Sequence, residues 1–457
     1  MIRGRLQEVA DAVGGRLCGE DTDFTGVSTD TRSIAAGQLF IALRGPRFDA
    51  HDMLDAAMQA GAAGAIVMRE RATALPHVVV RDTRAALAAL ARHWRRRFAL
   101  PVIAVTGSNG KTTTKELLAA ILRTQGPTLA TEGNLNNDIG VPLTLFRLDA
   151  TQRYAVIEMG ANRPDDIADL VAIAEPTVAL VTMVAAAHLE GLGDIAGVAR
   201  TKGRVYSRLP PEGTAVINVD EPWATQWRAT AGAARVVTFG RKDAAEVSAS
   251  DVVCGPIGTG LRFVLHVDGA QQPVALPLDG EHNVNNALSA AAAAHAVGIP
   301  LDAIARGLAQ AARVKGRLVP RTSRGGMRLI DDSYNANPAS LGAAIALLAQ
   351  QPRERWLVFG DMGELGPDAA DAHRAVGEQA RRAGIDRLFG VGLQARLAVD
   401  AFGAGACWYA DAPAALAALA VLDGADATVL VKGSRFMQLD RIVDGLAAPA
   451  GGGQSSC

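Results

Sequence analysis

The chain has few cysteines, few aromatics, little net charge and no long hydrophobic run, and each shortage removes a class of protein. Its four cysteines, Cys18, Cys254, Cys407 and Cys457, share no paired spacing. That excludes a disulfide framework or a cysteine zinc site and points to reduced thiols in a cytoplasm. No apolar stretch reaches the ~18 residues of a membrane span. Residues 1–6 lead into an amphipathic helix, so no signal peptide is expected. A formal net charge of −1 gives no electrostatic reason for a nucleic-acid or membrane partner. The locally basic run at 92–97 ends a helical pattern, where cations complement the helix dipole. Aromatics are only 4% of a chain with 48 glycines, so its cores must use small aliphatic side chains and closely packed helices.

What is present is a 457-residue sequence, 49% hydrophobic and 20% charged, as expected for a globular protein of about three domains. Its most informative stretch is 101–122. An apolar run at 101–105 reads as a buried parallel strand, Gly107-Ser108-Asn109-Gly110-Lys111-Thr112-Thr113 as a turn, and 116–122 as a helix. Such a strand, glycine turn and helix N-terminus aim backbone N–H groups at one point, which suits phosphate oxygens. Lys111 adds a cation for the outer phosphates, and the Thr112 hydroxyl can complete a Mg²⁺ shell. The full phosphate-loop pattern has a further Gly where Val105 stands, so this is a shortened loop with Gly107 taking the tight turn. A glycine-rich turn that binds nothing is the bland alternative. The order Gly, Lys, Thr, Thr in this context favours an ATP site.

Around that loop the pattern predicts three α/β units. Residues 1–82 hold a helix at 6–13, short strands near 26–28, 39–43, 65–68 and 77–80, and a helix at 54–60. Thr29, Asp30 and Arg32 form a polar constellation there, suited to a nucleoside diphosphate or equally to a loop and N-cap cluster. An Ala-rich helix over 83–98 links into a central unit, 83–313. There strands at 154–158, 178–182 and 214–218 alternate with helices, as in a doubly wound sheet with ligands at the strand C-terminal ends. Period-two alternation over 236–278 suggests antiparallel strands, and a long Ala-rich helix runs to 297. The last unit, 314–457, is a second Rossmann-like fold with strands near 329–332, 356–360, 387–391 and 428–432. It has no G-x-G-x-x-G turn for a dinucleotide. The tail at 450–457 reads as disordered.

Glu158 and His188 each follow a strand of the sheet that carries Lys111. At that edge a carboxylate and an imidazole can hold a second metal or position a phosphate. Alone, His188 reads as a structural histidine, Glu158 as a helix N-cap and Lys202 as a solvated helical lysine.

The loop 106–113 resembles the ATP loop of the Mur ligase family. The segments 134–142, 187–191, 331–338 (Asp-Asp-Ser-Tyr-Asn-Ala-Asn-Pro) and 360–366 extend the likeness over nearly the whole chain, from Thr29 to Arg435. They are closest to the member that adds D-alanyl-D-alanine. The resemblance implies an N-terminal UDP-sugar domain, a central ATPase and a C-terminal dipeptide domain. The implied reaction is ATP-dependent joining of D-Ala-D-Ala to UDP-MurNAc-tripeptide through an acyl phosphate, a cytoplasmic step of peptidoglycan precursor synthesis; the expectation of a monomer comes instead from the near-neutral charge of the chain. It implies Mg²⁺, two ions, held by Thr112, Glu158, His188 and Lys202, the last carbamylated by CO₂. Lys111, His188 and Lys202 would be catalytic. Asn283 and Asn286 would lie near adenine, Arg317 and Asp332 near nucleotide phosphate and ribose, and Asn335 near the dipeptide. Thr29, Asp30 and Arg32 would hold the uridine diphosphate end. Arg204 stands where relatives commonly carry Glu. The rivals are another amide ligase of the family, against which the absence of Asp-Asn-Pro-Arg and the 331–338 motif argue, and a nucleotide-switched binding protein without ligation chemistry.

Overall fold

The computed structural model describes residues 1–46, 48–242 and 245–448; the tail from 449, including the stretch read as disordered, lies outside them. The chain builds three main sheets, no two of which share a strand. The first has five strands in the order Arg16–Cys18, His77–Val79, Gly64–Val67, Leu39–Ile41, Val27–Ser28. The second has nine. Thr128–Ala130, Tyr154–Glu158, Val102–Thr106, Val178–Val181, Thr214–Asn218 and Arg235–Phe239 run parallel. The edge is completed by Val247–Cys254, Leu261–Val267 and Ala270–Leu276, which pair antiparallel with one another. The third has six: Val319–Thr322, Arg328–Asp331, Thr428–Lys432, Arg355–Gly360, Arg387–Val391 and Ala406–Tyr409, parallel except at the first pair.

Both large sheets are covered on both faces, which is why their strands are unbroken apolar runs. In Val102–Thr106, Val102 and Ala104 enter one core while Ile103 and Val105 enter the other. Trp356 and Val358 are likewise divided from Leu357 and Phe359. Small residues set the helix spacing. Ala290 to Ala294 of helix His282–Ala296 are fully buried. Gly307 lets helix Leu301–Ala309 lie against the main chain of Ile121, where a Cβ would collide.

Helix Thr83–Arg95 is N-capped by Asp82, whose carboxylate accepts from the Arg84 N–H at 2.8 Å. Its Leu87, Leu90 and Trp94 pack into one continuous core with Leu6 and Ile66 on one side and Ala104 and Val141 on the other. The basic run at its end is used internally. Arg92 and Arg96 each lie 2.7 Å from Glu175, and buried Arg95 donates to the carbonyls of Ala174 and Phe98. No helix among the described residues is long and apolar enough to cross a membrane.

The C-terminal ends of the central and third sheets face each other. Loops following Val102–Thr106, Tyr154–Glu158 and Val178–Val181 meet those following Arg328–Asp331, Arg355–Gly360 and Thr428–Lys432 across a single cleft.

Candidate active site

The phosphate loop depends on two glycines. Gly107 (φ 150°) and Gly110 (φ 81°) lie in the backbone region that favours glycine. A Cβ at Gly107 would overlap the Thr182 hydroxyl, and one at Gly110 the Asn286 side chain. Gly110 starts helix Lys111–Arg123 without any side-chain cap, so first-turn N–H groups stay open to an anion. The loop is moored to the neighbouring strand end. Ser108 N–H donates to Met183 O (2.8 Å), Ser108 Oγ to Ala185 O (3.0 Å) and Thr182 Oγ1 to Asn109 O (2.6 Å). Lys111 Nζ donates to the loop carbonyls of Gly107 (2.7 Å) and Ser108 (3.2 Å). Burial pushes its ammonium below the usual range, the Glu158 carboxylate opposes that, and the Arg317 cation adds to it.

Lys111, Thr112, Glu158 and His188 line one cleft of about 620 Å³, with Asn335 and Glu364 of the third sheet opposite. Glu158 ends its strand, and no helix begins there, so the N-cap alternative fails. It is 2% exposed. Asn136 Nδ2 donates to its Oε1 at 2.7 Å, whereas its Oε2 is buried without a partner. A bare buried carboxylate oxygen calls for a cation. Among the described residues no group of three or more His, Cys, Asp and Glu could hold a metal. One carboxylate and one threonine hydroxyl in the same cleft instead fit Mg²⁺, which completes its shell with phosphate and water oxygens.

His188 (φ 56°) and Glu364 (φ 62°) both occupy the left-handed region, a strain that persists where surroundings enforce it. Their side chains meet across the cleft, Nδ1 to Oε2 at 2.5 Å, with Nδ1 outside hydrogen-bond alignment. This contact holds the Glu364 carboxyl below its usual range. Lys202 is not the solvated lysine its helical position suggests. It is 0% exposed on helix Ile195–Gly203, and its Nζ has no partner. Burial, then the Lys111 cation, hold its pKa well below the usual range. Arg204 turns away to Asp165, at 2.8 Å.

Behind the loop lies a second cavity of about 350 Å³, reached by Thr113, Asn283, Asn286 and Asp332 and walled by Met183, Leu278 and Leu318. Asn286 donates to Asn283 (2.8 Å), which donates to Asp279 O (2.7 Å). Asp332 pairs with Lys432 at 2.6 Å. Arg317, stacked on the Tyr334 ring at 4.5 Å, lines both cavities, as do Asn109 and Gly110. An apolar slot opening on a phosphate loop can take a base and ribose with the phosphates leading into the cleft.

Thr29, Asp30 and Arg32 line neither cavity. Arg32 grips Asp30 through Nε (2.9 Å) and Nη2 (2.6 Å) and holds its carboxyl down to about 2. Sequence reasoning gave no role of their own to Asn136, Asn337 or Lys432, whereas Glu364 belongs to the 360–366 loop that the family resemblance sets facing the incoming dipeptide. An amide-rich segment at 131–142 was its only signal for the first of these.

Fold and cleft together define an α/β phosphate-loop protein whose nucleotide site is completed by a second sheet. The chain belongs to the Mur ligase family. Family models described as "Mur ligase family, catalytic domain", "Mur ligase middle domain" and "Mur ligase, glutamate ligase domain" match residues 23–95, 105–294 and 316–435. The UDP-N-acetylmuramoyl-tripeptide–D-alanyl-D-alanine ligase of Escherichia coli K12 is 44% identical over 449 residues, covering 98% of this chain and 99% of that one. A crystal structure of MurF from Acinetobacter baumannii superposes with a TM-score of 0.91 at 35% identity, over 97% of this chain and 98% of that one. MurF from Thermotoga maritima, solved in complex with ADP, gives 0.81 at 27% identity, over 92% and 96% of the two chains.

Proposed function

We propose that this chain is the ATP-dependent ligase that joins D-alanyl-D-alanine to UDP-N-acetylmuramoyl-tripeptide, giving the pentapeptide precursor of peptidoglycan. The observation that carries the reading is the one cleft in which Lys111, Glu158 and His188 face Asn335 and Glu364. A peptide carboxylate resists an amine at neutral pH until its oxygen becomes a leaving group. Its oxygen attacks the γ-phosphorus, the bridging P–O bond breaks and ADP leaves. The dipeptide amine then adds to the acyl phosphate carbon, loses its proton, and phosphate departs. Lys111 and the open loop N–H groups hold the triphosphate and offset its repulsion of the carboxylate.

Thr112 and Glu158 would hold Mg²⁺, with His188 and Lys202 serving a second ion; bound there, the metal screens the negative oxygens of both reactants. Burial without a partner makes the Lys202 amine easier to deprotonate, and the free amine is the form that CO₂ would carbamylate. Asn283 and Asn286 serve adenine, Thr113 and the 107–110 loop the phosphates, Arg317 and Asp332 phosphate and ribose, Asn335 the dipeptide. Thr29, Asp30 and Arg32 serve the uridine diphosphate end. Residues 1–82, 83–313 and 314–457 divide these tasks in a cytoplasmic monomer.

The test is phosphate release by the full chain. Release that requires both UDP-muramoyl-tripeptide and D-Ala-D-Ala supports ligation; hydrolysis indifferent to the dipeptide would favour a nucleotide switch. Because Asn136 orients Glu158, Asn136→Ala should raise the Mg²⁺ concentration for half-maximal rate about 10–100-fold. An unchanged Mg²⁺ titration would refute that orienting role.

A further inference from the structure

Asn337 caps helix Pro338–Ala349. Its Oδ1 accepts from Ser340 N–H at 2.9 Å, and its own N–H donates to Ser340 Oγ at 3.1 Å. That duty needs only a side-chain acceptor, which Ser or Asp supplies as well. The amide NH₂ is surplus to the helix, and it is spent elsewhere. Asn337 Nδ2 donates to Asn109 Oδ1 at 2.7 Å, and Asn109 Nδ2 returns a longer bond to Asn337 Oδ1 at 3.3 Å. Asn109 lies inside the phosphate loop, its carbonyl already fixed by Thr182, so its side chain is free for this partner 228 positions away. Besides the His188–Glu364 contact, this reciprocal pair joins the segments 102–294 and 316–435 by side chains, and it does so with two amide hydrogen bonds. It stands beside Lys111 on one side and Asn335 on the other.

We infer that Asn109 and Asn337 form a clasp that sets the phosphate loop in register with the segment carrying Asn335. Both are then positioning residues for transfer, an inference that rests on the ligase reading. The test is a double-mutant cycle in the full chain with Asn109→Ala, Asn337→Ser and the pair. It is read by amide hydrogen exchange of segments 107–114 and 335–342 and by dipeptide-dependent phosphate release. Each single change should speed exchange in the partner's segment and lower kcat about tenfold, Asn337→Ser doing so with KM for ATP nearly unchanged, and the double should be no worse than the worse single. Asn337→Ser keeps the cap, so its melting temperature should hold; Asn109→Ala carries no cap duty and tests the clasp independently of helix stability. Singles that alter neither readout, or effects that multiply to about a hundredfold in the double, overturn the clasp. Coupled exchange in a protein whose phosphate release ignores the dipeptide would leave the clasp standing and sink the ligase reading instead.

Discussion

Replacing Lys202 with methionine should cost most of the ligase activity while making the protein harder to unfold. Methionine keeps the volume and the apolar stem but removes an Nζ that is wholly buried and unpartnered. An unmet buried polar group costs about 1–3 kcal/mol, and that cost disappears in the variant. The pH dependence has a definite sign. The folded amine binds a proton far less readily than the unfolded one, whose usual value is 10.5. Between the depressed value and 10.5 the unfolded chain therefore holds more protons, and the parent gains stability as pH rises through that window. The methionine variant lacks this slope, which thermal melts across pH in bicarbonate-free buffer would reveal. Activity should fall about 100–1,000-fold, as when one charge-stabilising group is removed from an active site. In Lys202→Ala the vacated space should let a short-chain carboxylic acid restore part of the rate. Full activity in either variant without additive would remove Lys202 from the mechanism.

The second large effect belongs to Lys111. Its ammonium rests on the carbonyls of Gly107 and Ser108, where a cation neutralises the loop's own dipoles until phosphate oxygens compete for it. Lys111→Ala should lower single-turnover acyl transfer about 100–1,000-fold. Lys111→Arg should rescue little, because a planar fork cannot take the place of a compact ammonium in a turn this tight. Rates within threefold of the parent in Lys111→Ala would show that the loop N–H groups alone bear the phosphate charge, and in Lys111→Arg that any cation at this place suffices.

The organisation of the chain was legible wherever burial demanded a repeating pattern. The strands expected at 154–158, 214–218, 387–391 and 428–432 are found over those residues, because a sheet covered on both faces needs unbroken apolar runs. Short edge strands such as Arg16–Cys18 and Asp23–Thr25 lack that demand and carried no signal. Helix Gly140–Leu145 was hidden by the glycine, proline and amides around its start. The phosphate loop could be read because its glycines and lysine are adjacent in sequence. Lys202 was misread when taken alone, since helical spacing says which face a residue occupies but not what covers it. The clasp was invisible for a related reason: Asn337 looks like an ordinary N-cap until the loop opposite it is seen.

The continuous core around helix Thr83–Arg95 has a mechanical consequence. Leu6 and Ile66 are packed in the same apolar mass as Ala104 and Ile157, whereas the third sheet's two cores, flanking Leu357 and Val358, are drawn from residues beyond 317, with Ile257 touching the edge. Three sheets thus make only two solid pieces, and any jaw-like swing must pivot near 311–318. Residues up to about 310 would stay together as a fixed anvil while those from 318 onward move as the hammer.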